Sequence, residues 1–173
     1  IFKPHFHEKG LKQMLQNIAK GKLPPTYQVE LDCSVADIYI ITVGTPILKP
    51  SLEPDLNYVS RAATEVSKVL KKGDMVILRS TVPVGTTRNI VLPILEKGNH
   101  LIAGKDFDLA FCPERTVEGK ALKELRELPQ VIGGLTAAST NRAQRLFQKV
   151  TSTTINLGKI EASEMLKILD NTY

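Results

Sequence analysis

The chain has 173 residues, 42% hydrophobic and 24% charged, a balance that fits one globular domain and excludes a disordered segment. Its apolar runs fall short of the ~20 residues of a membrane span, its first residues show no signal-peptide pattern, and two cysteines are too few for a disulfide framework. The net charge of +5 is dispersed, and without Trp there is little aromatic surface for base stacking. The expectation is a cytoplasmic domain with no nucleic-acid or membrane partner, whose mildly basic surface suits an anionic small molecule. His5, His7 and His100 share no metal-ligand spacing, so no metal site is expected.

Residues 10–22 read as an amphipathic helix, with Leu11, Met14, Leu15 and Ile18 on one stripe and Pro24-Pro25 beyond it. A short strand is expected over 27–31 and a stronger one over 37–43, a β-branched run of the kind buried on both faces of a parallel sheet. A helix over 56–70 follows, with Asp55 as its N-cap and Gly73 after its end. The alternation continues with a strand over 74–78, a turn over 80–85 and a helix over 86–97 that contains Pro93. Next come a strand over 107–111, a Glu-bearing loop, a strand over 130–133, a helix over 137–150, a strand over 153–156 and a helix from about 160 onward. Strand and helix alternating at this spacing predict an α/β fold, a partial Rossmann-like doubly wound parallel sheet ending in the start of a long linking helix. The domain is expected over 1–158, with 159–173 as the first turns of that helix.

In such sheets ligands bind beyond the carboxyl ends of the strands. Three turns there are polar: Gly44-Thr45, Ser80-Thr81 and the loop from Glu114 to Glu118. Thr45 and Thr81 fit either a ligand contact or a turn cap. In the final helix Lys167 and Asn171 are four residues apart and share a face. A Lys, an Asn and two Glu suit an enzyme that handles oxyanions and moves protons; each alone is also an ordinary solvated side chain.

Five segments in one order carry a resemblance. They are Val43-Gly-Thr-Pro46, Ser80-Thr-Val-Pro-Val-Gly-Thr86, Cys112-Pro-Glu-Arg-Thr-Val-Glu-Gly-Lys-Ala121, Pro129-Gln-Val-Ile-Gly-Gly134 and Glu164-Met-Leu-Lys-Ile-Leu-Asp-Asn-Thr-Tyr173. In these the chain resembles the UDP-sugar 6-dehydrogenases, nearer their N-acetylmannosamine branch than their glucose branch. The resemblance implies an NAD-dependent oxidation of the C6 alcohol of a UDP-sugar to the uronic acid, in a homodimer or higher homo-oligomer.

It also implies roles for individual residues. Lys167 would place its charge beside the C6 oxygen, with Asn171 as a second donor. Glu114 would act through water as acid and base, and Thr81 would position that water or touch the nicotinamide. Gly44, Thr45 and Ser80 would border NAD, and Glu118 the nicotinamide ribose. Substrate would run along Glu114, Arg115, Thr116, Val117 and Glu118.

Two of the family's features are not in these 173 residues: the Gly-x-Gly-x-x-Gly turn and the downstream thiol nucleophile. Cys33 and Cys112 are read as structural. The expectation is therefore the inner part of a longer enzyme, inactive alone. The alternatives are a UDP-glucose 6-dehydrogenase or a non-catalytic remnant that keeps the fold.

Overall fold

The computed structural model describes residues 8–20, 33 and 35–172; the strand expected over 27–31 lies outside them. Five strands form one sheet in the order β1 (Ile38–Ile41), β2 (Met75–Leu78), β3 (Asp108–Phe111), β4 (Gln130–Gly134), β5 (Thr154–Asn156). Around it lie α1 (Leu11–Ala19), α2 (Asn57–Val69), α3 (Leu92–Asn99), α4 (Ala121–Glu127), α5 (Ala137–Phe147) and α6 (Ile160–Thr172).

All four residues of β2 are buried, as a continuous apolar strand covered on both faces requires. Tyr39, Ile41, Val76, Leu78, Leu109 and Phe111 point into a core closed by Val59, Ala63 and Val66 of α2, Leu95 of α3 and Ile160 of α6. The alternate residues Met75, Ile77, Ala110, Cys112 and Ile132 meet Ala143 and Phe147 of α5 on the other face. This period of two is the alternation of a pleated strand.

The α/β architecture stands, and the sheet is mixed rather than wholly parallel. β1, β2 and β3 are parallel, β3 and β4 antiparallel, β4 and β5 parallel. The cause is the connection between β3 and β4. Its helix, α4, has seven residues and buries none of them, so it cannot serve as a crossover across a sheet face. The chain instead re-enters the sheet from the end at which β3 left it, which brings Gln130, the first residue of β4, beside the carboxyl ends of β2 and β3.

Three local features differ from expectation. Leu56, not Asp55, is the N-cap of α2, while Asp55 Oδ1 accepts from Asn57 N–H at 2.9 Å. The helix expected over 86–97 begins as a π-helical turn, Thr87–Val91, and becomes α3 at Leu92. Pro93 lacks an N–H and its ring crowds the carbonyl four residues back, so a locally widened turn precedes it. α4 was expected as loop; the buried Glu8 caps it from far away in sequence, accepting from Ala121 N–H at 3.1 Å and Leu122 N–H at 3.0 Å.

α6 lies against β4 where Gly133 has no side chain. A Cβ there would fall 2.1 Å from the Lys159 carbonyl oxygen, a backbone contact that cannot swing aside. Gly133→Ala is therefore expected to destabilise the fold by about 2 kcal/mol or more, the scale of an overpacked core site. Urea unfolding measures it; an unchanged midpoint would mean that strand and helix do not approach this closely.

Candidate active site

Parallel strands β1, β2 and β3 send their carboxyl ends to one edge of the sheet, and the polar turns meet there. Gly44, Thr45, Ser80, Thr81 and Glu114 line one cavity of about 350 Å³, together with Arg79. Two hydroxyls staple its walls: Ser80 Oγ donates to the Val43 carbonyl at 2.6 Å, and Thr45 Oγ1 to the Thr81 carbonyl at 2.7 Å. A Cβ built on Gly44 would meet nothing within 4 Å, so the backbone at the end of β1 is open to a ligand.

Glu114 follows β3 and is half-buried. Its Oε2 accepts from Arg79 Nη2 at 2.5 Å, and its Oε1 from the backbone N–H groups of Arg115 and Thr116, each at 2.8 Å. Burial pushes the carboxyl up, but the Arg79 guanidinium and the Thr116 amide outweigh it and hold Glu114 below the usual glutamate range. Arg79 itself is 6% exposed. Its Nη1 donates to Gln130 Oε1 at 3.2 Å and to Cys112 Sγ at 3.3 Å, and its guanidinium carbon lies 4.9 Å from the centre of the Phe147 ring. Cys112 is fully buried, and that burial pushes its thiol up to about 12, against a pull from Arg79. A thiol so held is not a nucleophile.

Lys167 of α6 does not line this cavity, but it stands near enough to feel the charges of Glu114 and Arg79. Burial pushes its ammonium below the usual lysine range, opposed by the charges of Asp170 and Glu114 and reinforced by Arg115 and Arg79. A second link joins helix and loop: Arg115 Nε donates to Asp170 Oδ2 at 2.5 Å, and Arg115 Nη1 to the Pro129 carbonyl at 3.2 Å. Arg115 thus ties its loop to α6. Val117 and Glu118 are exposed at the loop tip, and Asn171 is exposed on α6; none of the three lines the cavity.

What holds α6 in place is Glu164, fully buried and bonded to neutral donors. Its Oε2 accepts from Gly85 N–H at 2.6 Å, and its Oε1 from Thr87 N–H at 2.8 Å and Thr87 Oγ1–H at 2.6 Å. Glu161 adds an ion pair with Arg88. Sequence reasoning passed over Arg79, Gln130, Glu164 and Asp170. Arg79 did carry a signal, a lone cation closing an apolar strand; the partners of the other three come from segments far away in the chain.

Polar turns at the carboxyl ends of parallel strands are the frame of a nucleotide-binding α/β domain. The chain belongs to the UDP-glucose/GDP-mannose dehydrogenase family, whose NAD binding domain matches residues 2–151. It is 35% identical to a UDP-N-acetyl-D-mannosamine dehydrogenase of Pyrococcus horikoshii, over 98% of this chain and 40% of that protein. It is 34% identical to an NDP-N-acetyl-D-galactosaminuronic acid dehydrogenase of Ralstonia solanacearum, again over 98% of this chain and 40% of the relative. Among solved structures, the UDP-N-acetyl-mannosamine dehydrogenase of Staphylococcus aureus superposes with a TM-score of 0.87 at 30% identity, covering 99% of this chain and 41% of that one. The chain therefore spans about 40% of the length of these relatives.

The Glu164 anchor makes a stability prediction. Glu164→Ala leaves the Gly85 and Thr87 amides without their acceptor, and an unsatisfied buried donor costs about 1–3 kcal/mol. The variant is expected to lose about 2–4 kcal/mol on that scale, read by thermal or urea unfolding. A loss under about 0.5 kcal/mol, typical of a surface site, would contradict the anchoring role.

Proposed function

We propose that this chain is the NAD-binding core of an NAD-dependent UDP-sugar 6-dehydrogenase, a longer enzyme that oxidises the C6 alcohol of a UDP-N-acetylhexosamine to the uronic acid. UDP-N-acetylmannosamine is the favoured substrate. The observation that carries the reading is that Thr81 and Glu114 line one cavity with the Gly44-Thr45 turn, beyond the carboxyl ends of the parallel strands. Relatives named for N-acetylated sugars support that substrate branch over glucose.

The residues present fit one wall of a dinucleotide site. Gly44 leaves the backbone clear at the end of β1, and the Thr45, Ser80 and Thr81 turns flank it. The Gly-rich turn that would hold the pyrophosphate is not in this sequence. When bound, NAD supplies the hydride acceptor.

The remaining chemistry belongs to the side chains. Lys167 places a cation where the C6 oxygen gains negative charge, and its lowered affinity for a proton suits it to take part in moving one. Asn171, one helical turn on, is the second donor to that oxygen. Glu114, ionised and fixed, accepts a hydrogen bond from the water that would hydrolyse the thioester formed on the family's downstream thiol, and Thr81 holds that water from the adjoining turn. Neither Glu118 nor Val117 is needed for this assignment.

In the product of the complete reading frame, Lys167→Met is expected to lower kcat by ~10²-fold or more with a smaller change in KM, because the lost contact acts mainly in the transition state. Steady-state NADH formation with UDP-N-acetylmannosamine measures it. Unchanged kcat would remove Lys167 from the mechanism, and no turnover of any UDP-sugar by the parent protein would retire the reading as a whole.

A further inference from the structure

We propose that Arg79 is a positioning residue: its buried guanidinium holds one oxygen of the Glu114 carboxylate at the cavity wall while loop amides hold the other, so that the carboxylate meets water or a substrate hydroxyl in one fixed orientation. The inference rests on the reading of Glu114 given above and adds how that residue is held.

The bonds on the two oxygens carry it. Oε1 of Glu114 accepts from the amides of Arg115 and Thr116, and Oε2 from Arg79 Nη2. The Thr116 side chain adds to the pull that keeps the carboxylate charged. Opposing bonds on the two oxygens stop the carboxylate from rotating, and the Arg79 bond is the one that comes from outside its own loop.

Arg79 can impose this because it is itself immobile. Gln130 Oε1, Cys112 Sγ and the Phe147 ring engage the guanidinium from β4, the end of β3 and α5. These three partners are neutral, the thiol because burial keeps its proton on. Glu114 is the one carboxylate paired with Arg79 among the described residues. Arginine suits the position because its planar fork can bind a carboxylate through one arm and two neutral acceptors through the other.

The charges near Glu114 are Arg79 just after β2, Lys167 from α6, and Arg115 from its own loop, whose guanidinium is paired with Asp170 of α6. Arg79 alone among these cations touches it. Removing that cation takes away the main force opposing desolvation, so the Glu114 titration must move up. Below its midpoint Glu114 is protonated and becomes a donor, which cannot orient a water as the proposal requires. The pairing is therefore fully present above the ordinary glutamate range and lost as pH falls through the lowered midpoint.

The test is a side-chain carboxyl NMR titration of Glu114 in the complete enzyme, in parent, Arg79→Lys and Arg79→Gln forms, alongside their kcat–pH profiles. The expected result is an upward shift of the midpoint in R79Q, a midpoint close to the parent's in R79K, and an acid limb of kcat that moves up with it. An R79Q midpoint equal to the parent's overturns the proposal. A shifted midpoint with kcat–pH profiles of R79Q and Glu114→Gln that match the parent overturns the catalytic reading of Glu114, and with it any part for Arg79 in the reaction. Should R79Q not fold, Glu114→Ala at the half-exposed partner answers the same question. The parent is expected to show distinct, slowly exchanging Arg79 Nη signals that merge in E114A; identical signals in the two proteins overturn the proposal.

Discussion

The position of the last helix is decided by one buried carboxylate. α6 buries only Ile160, Ser163 and Glu164, all in its first turns, while Met165 and Leu169 are exposed. Apolar packing alone would let such a helix slide along the sheet. Glu164 prevents this by accepting three hydrogen bonds from Gly85 and Thr87, at the start of the π-helical turn that leads into α3. The first amides of a helix have no partner within it, and an anion is favoured there. Lys167 follows Glu164 by three residues, one helical turn, so the same bonds that satisfy those amides also fix where Lys167 stands, near enough to feel the charge of Glu114. Thr81 and Gly85 belong to a single turn, so one contact sets the distance between two parts of the candidate site.

A second constraint comes from strand direction. Had β4 run parallel to β3, its amino end and Gln130 would lie at the far edge of the sheet. The antiparallel pairing puts Gln130 within 3.2 Å of Arg79 and supports a cation that burial would otherwise penalise. Stability is a weak account of such a group, since buried ion pairs often contribute no more than apolar residues of the same volume would. Fixing a carboxylate in one orientation is something an apolar residue cannot do.

Much of this was legible in the sequence because it is local. The strands over 38–41 and 75–78 announce themselves by continuous apolar runs, and α6 by its periodicity. The cavity wall was legible through strand order, since parallel strands must end their turns at one edge. What was hidden depends on long-range partners. Nothing near residues 121–127 says that Glu8 caps a helix there, nothing in a Glu-Met-Leu-Lys segment says that its Glu is buried against Gly85, and the direction of β4 follows from how little of α4 is buried. The widened turn before Pro93 lies between these cases: the proline is visible, and the manner in which the helix accommodates it is not.

The hydroxyls at the cavity show how such contacts narrow a site. Thr45, Ser80 and Thr81 look equivalent as polar residues at strand ends. A hydroxyl has one proton to donate, and Thr45 and Ser80 have each committed theirs to a carbonyl of the opposite turn. They rigidify the wall and can meet a ligand only as acceptors. Thr81 makes no side-chain hydrogen bond among the described residues, although its own carbonyl receives the Thr45 proton. Its hydroxyl is held in place by the staple yet keeps both its proton and its lone pairs. Of the three, Thr81 alone keeps a proton to donate at the cavity wall that it shares with Glu114.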